Sequence, residues 1–256
     1  MSARIEILPD RIVVWNGNTD KRGAISPEYY AAIIEATQKA QETHIRSVIL
    51  TSEGDFFCAG GNLNELIARS TLPEQERRNR IENLNTVIRA IRNCPVPVIA
   101  AVEGGAAGAG LSIMLACDMV VAAQGAKFIA AYVKAGLVPD GGLTSALARA
   151  IPRQLSMEMC LMAKPVTSDR FAELGVVNAL TPAGGAREEA HAVADRLAKG
   201  PRVAQQVIRG LVADAYERSE AEQLAAERNE MARAAGADEA AEGIAAFLEK
   251  RTPQFP

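Results

Sequence analysis

Residues 103–112 read EGGAAGAGLS, four glycines and three alanines in ten positions, directly after the apolar run PVPVIAAV at 95–102. Each glycine loses more conformational freedom on ordering than any other residue, so backbone this bare is costly to fix. The main chain itself must come close to something. PVPVIAAV reads as a buried strand and LSIMLAC (111–117) as a buried helix, which makes the glycine run the joint of a strand–loop–helix unit. A second such unit lies upstream: the strand RSVILTS (46–52), the loop EGDFFCAGG (53–61) and the helix NLNELIARS (62–70). Its recurrence at similar length hints at successive turns of one superhelix.

Around these units the pattern is strand and helix in alternation. ARIEI (3–7) and RIVVW (11–15) suit a strand pair, and ISPEYYAAIIEATQKAQ (25–41) has helical spacing, with Ser26 as N-cap and Pro27 at the first helical position. Residues 73–93 form a charged amphipathic helix whose acids and bases are a solvated face, ending at Asn93. DMVVAA (118–123) is a strand, KFIAAYVKAGLVPDGGLTSALAR (127–149) turns at Pro139 into a helix, and VVNALTP (176–182) closes the strand-bearing part. From there the periodicity is helical to the end, punctuated at Gly200–Pro201 and Gly236. The expectation is an α/β core over 1–185 and a helical C-terminal region over 186–256, together one functional unit.

The totals narrow the function. Apolar residues at 48% of 256 support a sizeable core, while a net charge of −3 and only 4% aromatics offer nucleic acid neither a basic stripe nor a stacking platform. No apolar stretch reaches the roughly 18–20 residues a bilayer span needs, and MSARIEILPDR lacks a basic-then-apolar signal segment. Cys58, Cys94, Cys117 and Cys160 stand far apart without a CxxC and read as reduced, mostly buried thiols of a cytoplasmic protein. No metal-ligand spacing occurs, and His44 and His191 form no Ser–His or Cys–His arrangement.

The glycine run is not a dinucleotide loop, because GxGxxG with an acid about 20 residues on is missing, and GxxxxGK[ST] is missing too. Close packing of a helix against a strand would also use such residues. The twin loop points elsewhere: Ala59-Gly60-Gly61 likewise stands at a helix entrance, where unsatisfied N–H groups and the positive dipole end lie. Two such donors aimed at one oxygen make an oxyanion hole, which stabilises an enolate or a tetrahedral anion.

FCAGGNLNEL (57–66), PVIAAVEGGAAGAGLSIMLACD (97–118), GLVPDGG (136–142), TSDRFAELGVV (167–177) and EGIAAFLEKR (242–251), in this order, resemble the enoyl-CoA hydratase/isomerase (crotonase) superfamily over about residues 5–255. Within it the chain looks most like the alternative-type oxepin-CoA hydrolases of aromatic-acid catabolism. The resemblance implies a spiral of ββα turns, a helical C-terminal trimerisation region giving a homotrimer or dimer of trimers, and an acyl-CoA thioester as substrate. Coenzyme A is then part of the substrate and no separate cofactor is implied. By position, the oxyanion donors are the N–H groups of Gly61 and Ala109. Ala59 matches the residue whose carbonyl meets the adenine, Arg22 in DKRGAIS a basic residue near the phosphates, Leu63 a substrate-contact position, and Phe247 and Lys250 C-terminal contacts often made across a subunit boundary.

The chain departs from the two-carboxylate hydratase pattern, since Ser112 and Tyr132 stand where that pattern has glutamates, and neither deprotonates near neutral pH unaided. Both stay in the substrate-binding set. Asp140 in LVPDGGLT matches the aspartate of isomerase-type members, although Pro-Asp-Gly is also ordinary turn chemistry. An apolar neighbourhood of Leu137, Val138 and Leu143 would raise its pKa toward a useful value. Glu65 and Asn64 are weaker candidates, Glu103 is expected to cap the glycine loop, and Cys58 to be a buried thiol. One carboxylate suits a proton shuttle, so isomerisation leads. Hydration is the broad family activity, ring-opening hydrolysis the subgroup alternative, and a non-catalytic acyl-CoA binder the rival from another class.

Overall fold

The computed structural model describes residues 2–62, 67–68 and 70–255. The chain begins with Ala3–Ile7 (β1) antiparallel to Arg11–Asn16 (β2). Pro27–Lys39 (α1) follows, its first turn closed by Ser26 Oγ accepting from the Tyr29 amide at 3.2 Å. Then come Ser47–Ser52 (β3), Glu74–Arg92 (α2), Val98–Val102 (β4), Gly105–Ala107 (β5), Ala109–Ala116 (α3), Met119–Ala123 (β6) and Lys127–Ile129 (β7). A 3-10 turn at Ala131–Ala135 leads to Leu143–Ala150 (α4), Arg153–Met162 (α5), Val166–Thr167 (β8), Ser168–Glu173 (α6) and Ala179–Thr181 (β9). Four helices close the chain: Ala186–Ala198 (α7), Arg202–Asp214 (α8), Glu220–Ala234 (α9) and Asp238–Glu249 (α10). The helix expected over 62–70 lies largely outside the described residues.

The main sheet runs β1-β2-β3-β4-β6-β9 and is parallel from β2 onward; a small second sheet runs β5-β7-β8. Successive side chains of a strand point to opposite faces, and the two cores divide on that period. Ile12, Val14, Val48, Leu50, Val98, Ala100, Val102 and Val120 join one cluster, with Ile33 of α1, Ile88 of α2 and Ile113 of α3. Val13, Ile49, Ile99, Ala101 and Val121 join the other, with Ala190, Val193 and Ala194 of α7. A parallel sheet covered on both faces has near-continuous apolar strands, which is why VPVIAAV and SVILTS show no polar alternation. The helix that starts at residue 186 therefore forms the cover of the second face.

Three strand-bearing elements escape the sequence pattern. β5 lies inside the glycine run, and β7 and β8 pair over two or three residues only, too short for a period of two to show. The helices at 153–162 and 168–173 were likewise not expected.

Arginines tie the helical region to the sheet. Buried Arg11 donates to both Asp10 carboxylate oxygens at 2.7 Å, to the His191 carbonyl at 2.9 Å and to Asp195 on α7. The α7 N-terminus is held by the Glu103 carboxylate, which accepts from the amides of Gly184 at 3.0 Å and Ala186 at 2.9 Å. Arg209 on α8 donates to the Cys94 carbonyl and, at 2.8 Å, to Asp118, whose same oxygen accepts from the Val98 amide at 2.7 Å. Burial pushes the Asp118 carboxyl above its usual range, and Arg209 pulls it back. Arg209→Met leaves that carboxylate without its cation. The variant is expected to be less stable by about 2 kcal/mol in denaturant unfolding, less than the roughly 3–5 kcal/mol of breaking a fully buried pair because Asp118 is partly exposed; an unchanged midpoint would contradict this account of the α8 attachment.

Candidate active site

The loop after β3 and the loop after β4 are stitched together by their main chains. The Phe57 amide donates to the Glu103 carbonyl and the Ala107 amide to the Cys58 carbonyl, both at 2.9 Å, and Cys58 bridges Ala106 in parallel fashion. The approach leaves no space for side chains at two points. At Gly60, with φ +86°, a Cβ would stand 2.6 Å from the Ala107 carbonyl oxygen and 3.1 Å from the Ala109 nitrogen. At Gly110 it would stand 2.4 Å from the Cys58 carbonyl oxygen. Cys58 is the packing thiol expected, with burial pushing it up to about 12.

Gly61 and Ala109, the two proposed donors, thus sit on loops that touch. Ala109 is the first residue of α3, where a helix amide has no intrahelical acceptor and the dipole favours negative charge. Neither amide donates to a partner among the described residues. α3 is short and buried on nearly every side, so its N-terminus is held rigidly.

The acid comes from the turn between the 3-10 element and α4. Tyr132 Oη donates to Asp140 Oδ1 at 2.8 Å, and Ser112 Oγ donates to the Asp140 carbonyl at 3.0 Å. Ser112 lies three residues after Ala109 on α3, hence on the same face. The Tyr132 ring lies 3.8 Å from the place a Cβ on Gly108 would occupy. Burial pushes the Tyr132 phenol well above its ordinary value, the Asp140 charge adds to this, and the hydroxyl keeps its proton. Asp140 is not the α4 N-cap; that position is Gly142.

Two expectations need correction. Of the apolar residues expected around Asp140, only Leu143 is buried, while Leu137 is 44% and Val138 81% exposed. The chain reverses at Gly136 and again at Gly141 and Gly142, all at positive φ, and leaves 137–138 on the outside. The Glu103 carboxylate caps α7 rather than the glycine loop, because β4 ends beside the α7 N-terminus; only its carbonyl serves the loops.

Arg22 and Ala59 also meet. Arg22, with φ +50°, lays its guanidinium 4.1 Å over the Phe56 ring while its carbonyl accepts from the Ala59 amide at 3.0 Å. Phe247 and Lys250 are exposed on the end of α10, and no hydrogen bond, ion pair or ring contact among the described residues ties them to Arg22 or Ala59. Leu63, Asn64 and Glu65 lie outside the described residues. His44 is exposed near Glu42, and His191 lies on α7 beside Arg11. The Tyr132–Asp140 bond was missed by sequence reasoning. Its one signal is the spacing of eight across a stretch with Gly136 and Pro139, residues that fold a chain back on itself.

This geometry has close relatives. Residues 17–256 match the enoyl-CoA hydratase/isomerase family profile. The chain is 32% identical over 238 residues to the 1,2-epoxyphenylacetyl-CoA isomerase of Escherichia coli K12, covering 92% of this chain and 91% of that one. It is 31% identical over 226 residues to the 2,3-dehydroadipyl-CoA hydratase of the same organism, covering 86% and 85%. A crystal structure of an enoyl-CoA hydratase from Polaromonas sp. JS666 superposes with a TM-score of 0.96 at 42% identity over 99% of each chain. The chain belongs to the enoyl-CoA hydratase/isomerase family and has its mixed α/β fold; it is an enzyme of acyl-CoA chemistry.

Gly60→Ala tests the loop contact. A Cβ 2.6 Å from a carbonyl oxygen at positive φ must push the Ala107–Ala109 segment away. Turnover of an enoyl-CoA substrate is expected to fall by at least about 10²-fold, the effect of losing one oxyanion donor. Near wild-type kcat in a folded Gly60→Ala protein would mean that the two loops need not touch.

Proposed function

We propose that the enzyme moves a proton along an acyl-CoA with one carboxylate, isomerising a carbon–carbon double bond. The observation that carries this is the Ser112–Tyr132–Asp140 arrangement: of the two hydroxyls that replace glutamates, that of Tyr132 donates to the Asp140 carboxylate and that of Ser112, on the helix that Ala109 opens, to the Asp140 main-chain carbonyl. The thioester oxygen accepts from the Gly61 and Ala109 amides. Asp140 takes a proton from a substrate carbon conjugated with the thioester; the C–H electron pair moves into the new double bond and charge collects on that oxygen as an enolate. The same carboxyl returns the proton at the other end of the enolate system. Hydration would need a water activated by a second base. The two relatives, one named an isomerase and one a hydratase, are compatible with either.

A second reading is hydrolytic opening of an oxepin-type ring, supported by the resemblance to that subgroup and by a relative named for an aromatic-derived acyl-CoA. It uses the same oxyanion site and one acid–base group. In either reading Arg22 and Ala59 address the nucleotide end, and Phe247 and Lys250 come from a neighbouring copy in a trimer or dimer of trimers. The support for assembly is the groove between α8, α9 and α10, lined by Val207, Ile208, Leu211, Met231 and Ile244, with Phe247 83% exposed nearby on α10.

The test is exchange of the α-protons of a saturated acyl-CoA in heavy water. The wild type is expected to label the substrate. Asp140→Asn should bind as well but exchange about 10²–10⁴-fold more slowly, the usual contribution of a positioned acid–base group. Full exchange by Asp140→Asn would exclude Asp140 as the base, and no exchange by the wild type would favour a binder. Calorimetry adds the nucleotide end: acetyl-CoA should bind more tightly than a thioester truncated before the nucleotide, and equal affinities would contradict the roles of Arg22 and Ala59.

A further inference from the structure

We propose that Tyr132 is the positioning residue of the site: the hydroxyl-bearing edge of its ring, seated at the entry to α3, fixes where Asp140 stands, and its hydroxyl holds the carboxylate as an acceptor. This rests on Asp140 being the base.

The geometry is specific. The hydroxyl-bearing edge of the Tyr132 ring faces Gly108, with Cζ 3.8 Å and Cε2 3.9 Å from the place of a Cβ there. Gly108 is the residue before Ala109, whose amide is a proposed oxyanion donor. The nearer of these carbons, Cζ, bears the hydroxyl that reaches Asp140 Oδ1 at 2.8 Å. The same end of one rigid aromatic thus meets the residue that leads into the donor and bonds the residue that moves the proton. Ser112 fixes the other end of Asp140 through its carbonyl at 3.0 Å, and Gly141 packs so closely that its Cβ would stand 3.0 Å from the Ser112 Cβ. The acid is thereby held at its main chain from α3 and at its carboxylate from the 3-10 turn.

Chemistry follows from which partner owns the proton. The buried phenol resists ionisation and the Asp140 charge makes it resist more, so Tyr132 remains the donor and Asp140 the acceptor. A donor to the charged form favours that form, so Tyr132 lowers the pH at which Asp140 becomes a base. Other charges lie on the surrounding elements. Arg92 of α2 has its guanidinium 3.7 Å from the place of a Cβ on Gly142, and Arg89 of α2 is bonded to Glu82. Lys134 stands on the Tyr132 turn, Arg149 of α4 pairs with Glu217, and α5 carries Arg153 and Glu158, the latter paired with Lys164. Their field is common to wild type and variant, so a comparison of the two isolates the hydroxyl.

Tyr132→Phe keeps the ring edge at Gly108 and removes only the bond. With the protein labelled at aspartate carboxyl carbons, the Asp140 signal, identified by its loss in Asp140→Asn, is followed against pH by NMR. Its midpoint is expected to rise in Tyr132→Phe by about one pH unit or more, the size of a hydrogen bond to a charged group. The acid limb of kcat/KM for the exchange reaction should move up with it, with KM little changed. Tyr132→Leu, which removes the ring as well, should lower kcat further at every pH. Ser112→Ala, which spares the carboxylate, should leave the midpoint in place. A Tyr132→Phe midpoint equal to that of the wild type would overturn the proposal, as would an equal rise in Ser112→Ala. The readings separate: exchange retained by Asp140→Asn fails the base assignment whatever the titration shows. A still midpoint with exchange lost in Asp140→Asn fails only the role of Tyr132.

Discussion

Between the Gly60 backbone and the Ala107 carbonyl there is no room for a single additional carbon. That contact, repeated where Gly110 rests on the Cys58 carbonyl, sets how near two separate strand–loop–helix units come to one another. Each unit alone would offer one amide to solvent. Pressed together they bring Gly60 against the Ala107–Ala109 segment at a helix N-terminus, and in the proposed site two amides then serve one oxygen without any side chain having to be ordered for the purpose. Donors fixed by main-chain packing need no reorganisation when charge develops on a bound oxygen, which is the condition under which such donors contribute most. In the proposed site the same economy lets Ala109 stand at the second donor position, since the working atom is a backbone nitrogen.

The rest of the molecule maintains that contact. β3 and β4 lie next to each other in the sheet, so the loops that leave their ends are neighbours by register. Both faces of the sheet are covered, one by α1, α2 and α3 and the other by α7, and the alternating side chains of four strands are consumed by the two cores. Arg11, Glu103, Arg202 and Arg209 supply the polar fastening that packing alone does not give, each bonding main-chain carbonyls or amides of another element or its flanking loop. The acid is added from outside this frame, on a turn, and is tied back to it through Ser112 and Tyr132.

Much of this was legible in the sequence because it depends on local pattern. Strands buried on both faces announce themselves as apolar runs, Ser26-Pro27 marks a helix start, and small residues at two helix entrances mark the loops. The choice of Gly61 and Ala109 as donors came from the resemblance and the doubled loop together, and the roles of Arg22 and Ala59 from the resemblance alone; the approach of Gly60 to Ala107 and the Arg22–Ala59 bond are what the structure adds. What was not legible depends on three-dimensional closure. The two-residue β8 has no period to detect, and Glu103 reads as a loop cap until β9 and α7 are brought beside it. Leu137 and Val138 look like a pocket lining in sequence, yet three glycines at positive φ turn them outward. The polar contact that replaced them, Tyr132 to Asp140, joins residues eight apart through a turn whose shape no pairwise spacing rule contains.

The central claim is that the two touching loops deliver both amides to one substrate oxygen. A crystal structure with a non-reacting acyl-CoA thioester analogue tests it most directly. The account predicts the thioester oxygen within about 2.7–3.1 Å of both the Gly61 and the Ala109 nitrogens, with the reacting carbon facing the Asp140 carboxylate. A thioester oxygen turned away from both nitrogens, in a site otherwise filled by the analogue, would contradict it and leave the glycine loops as packing devices alone.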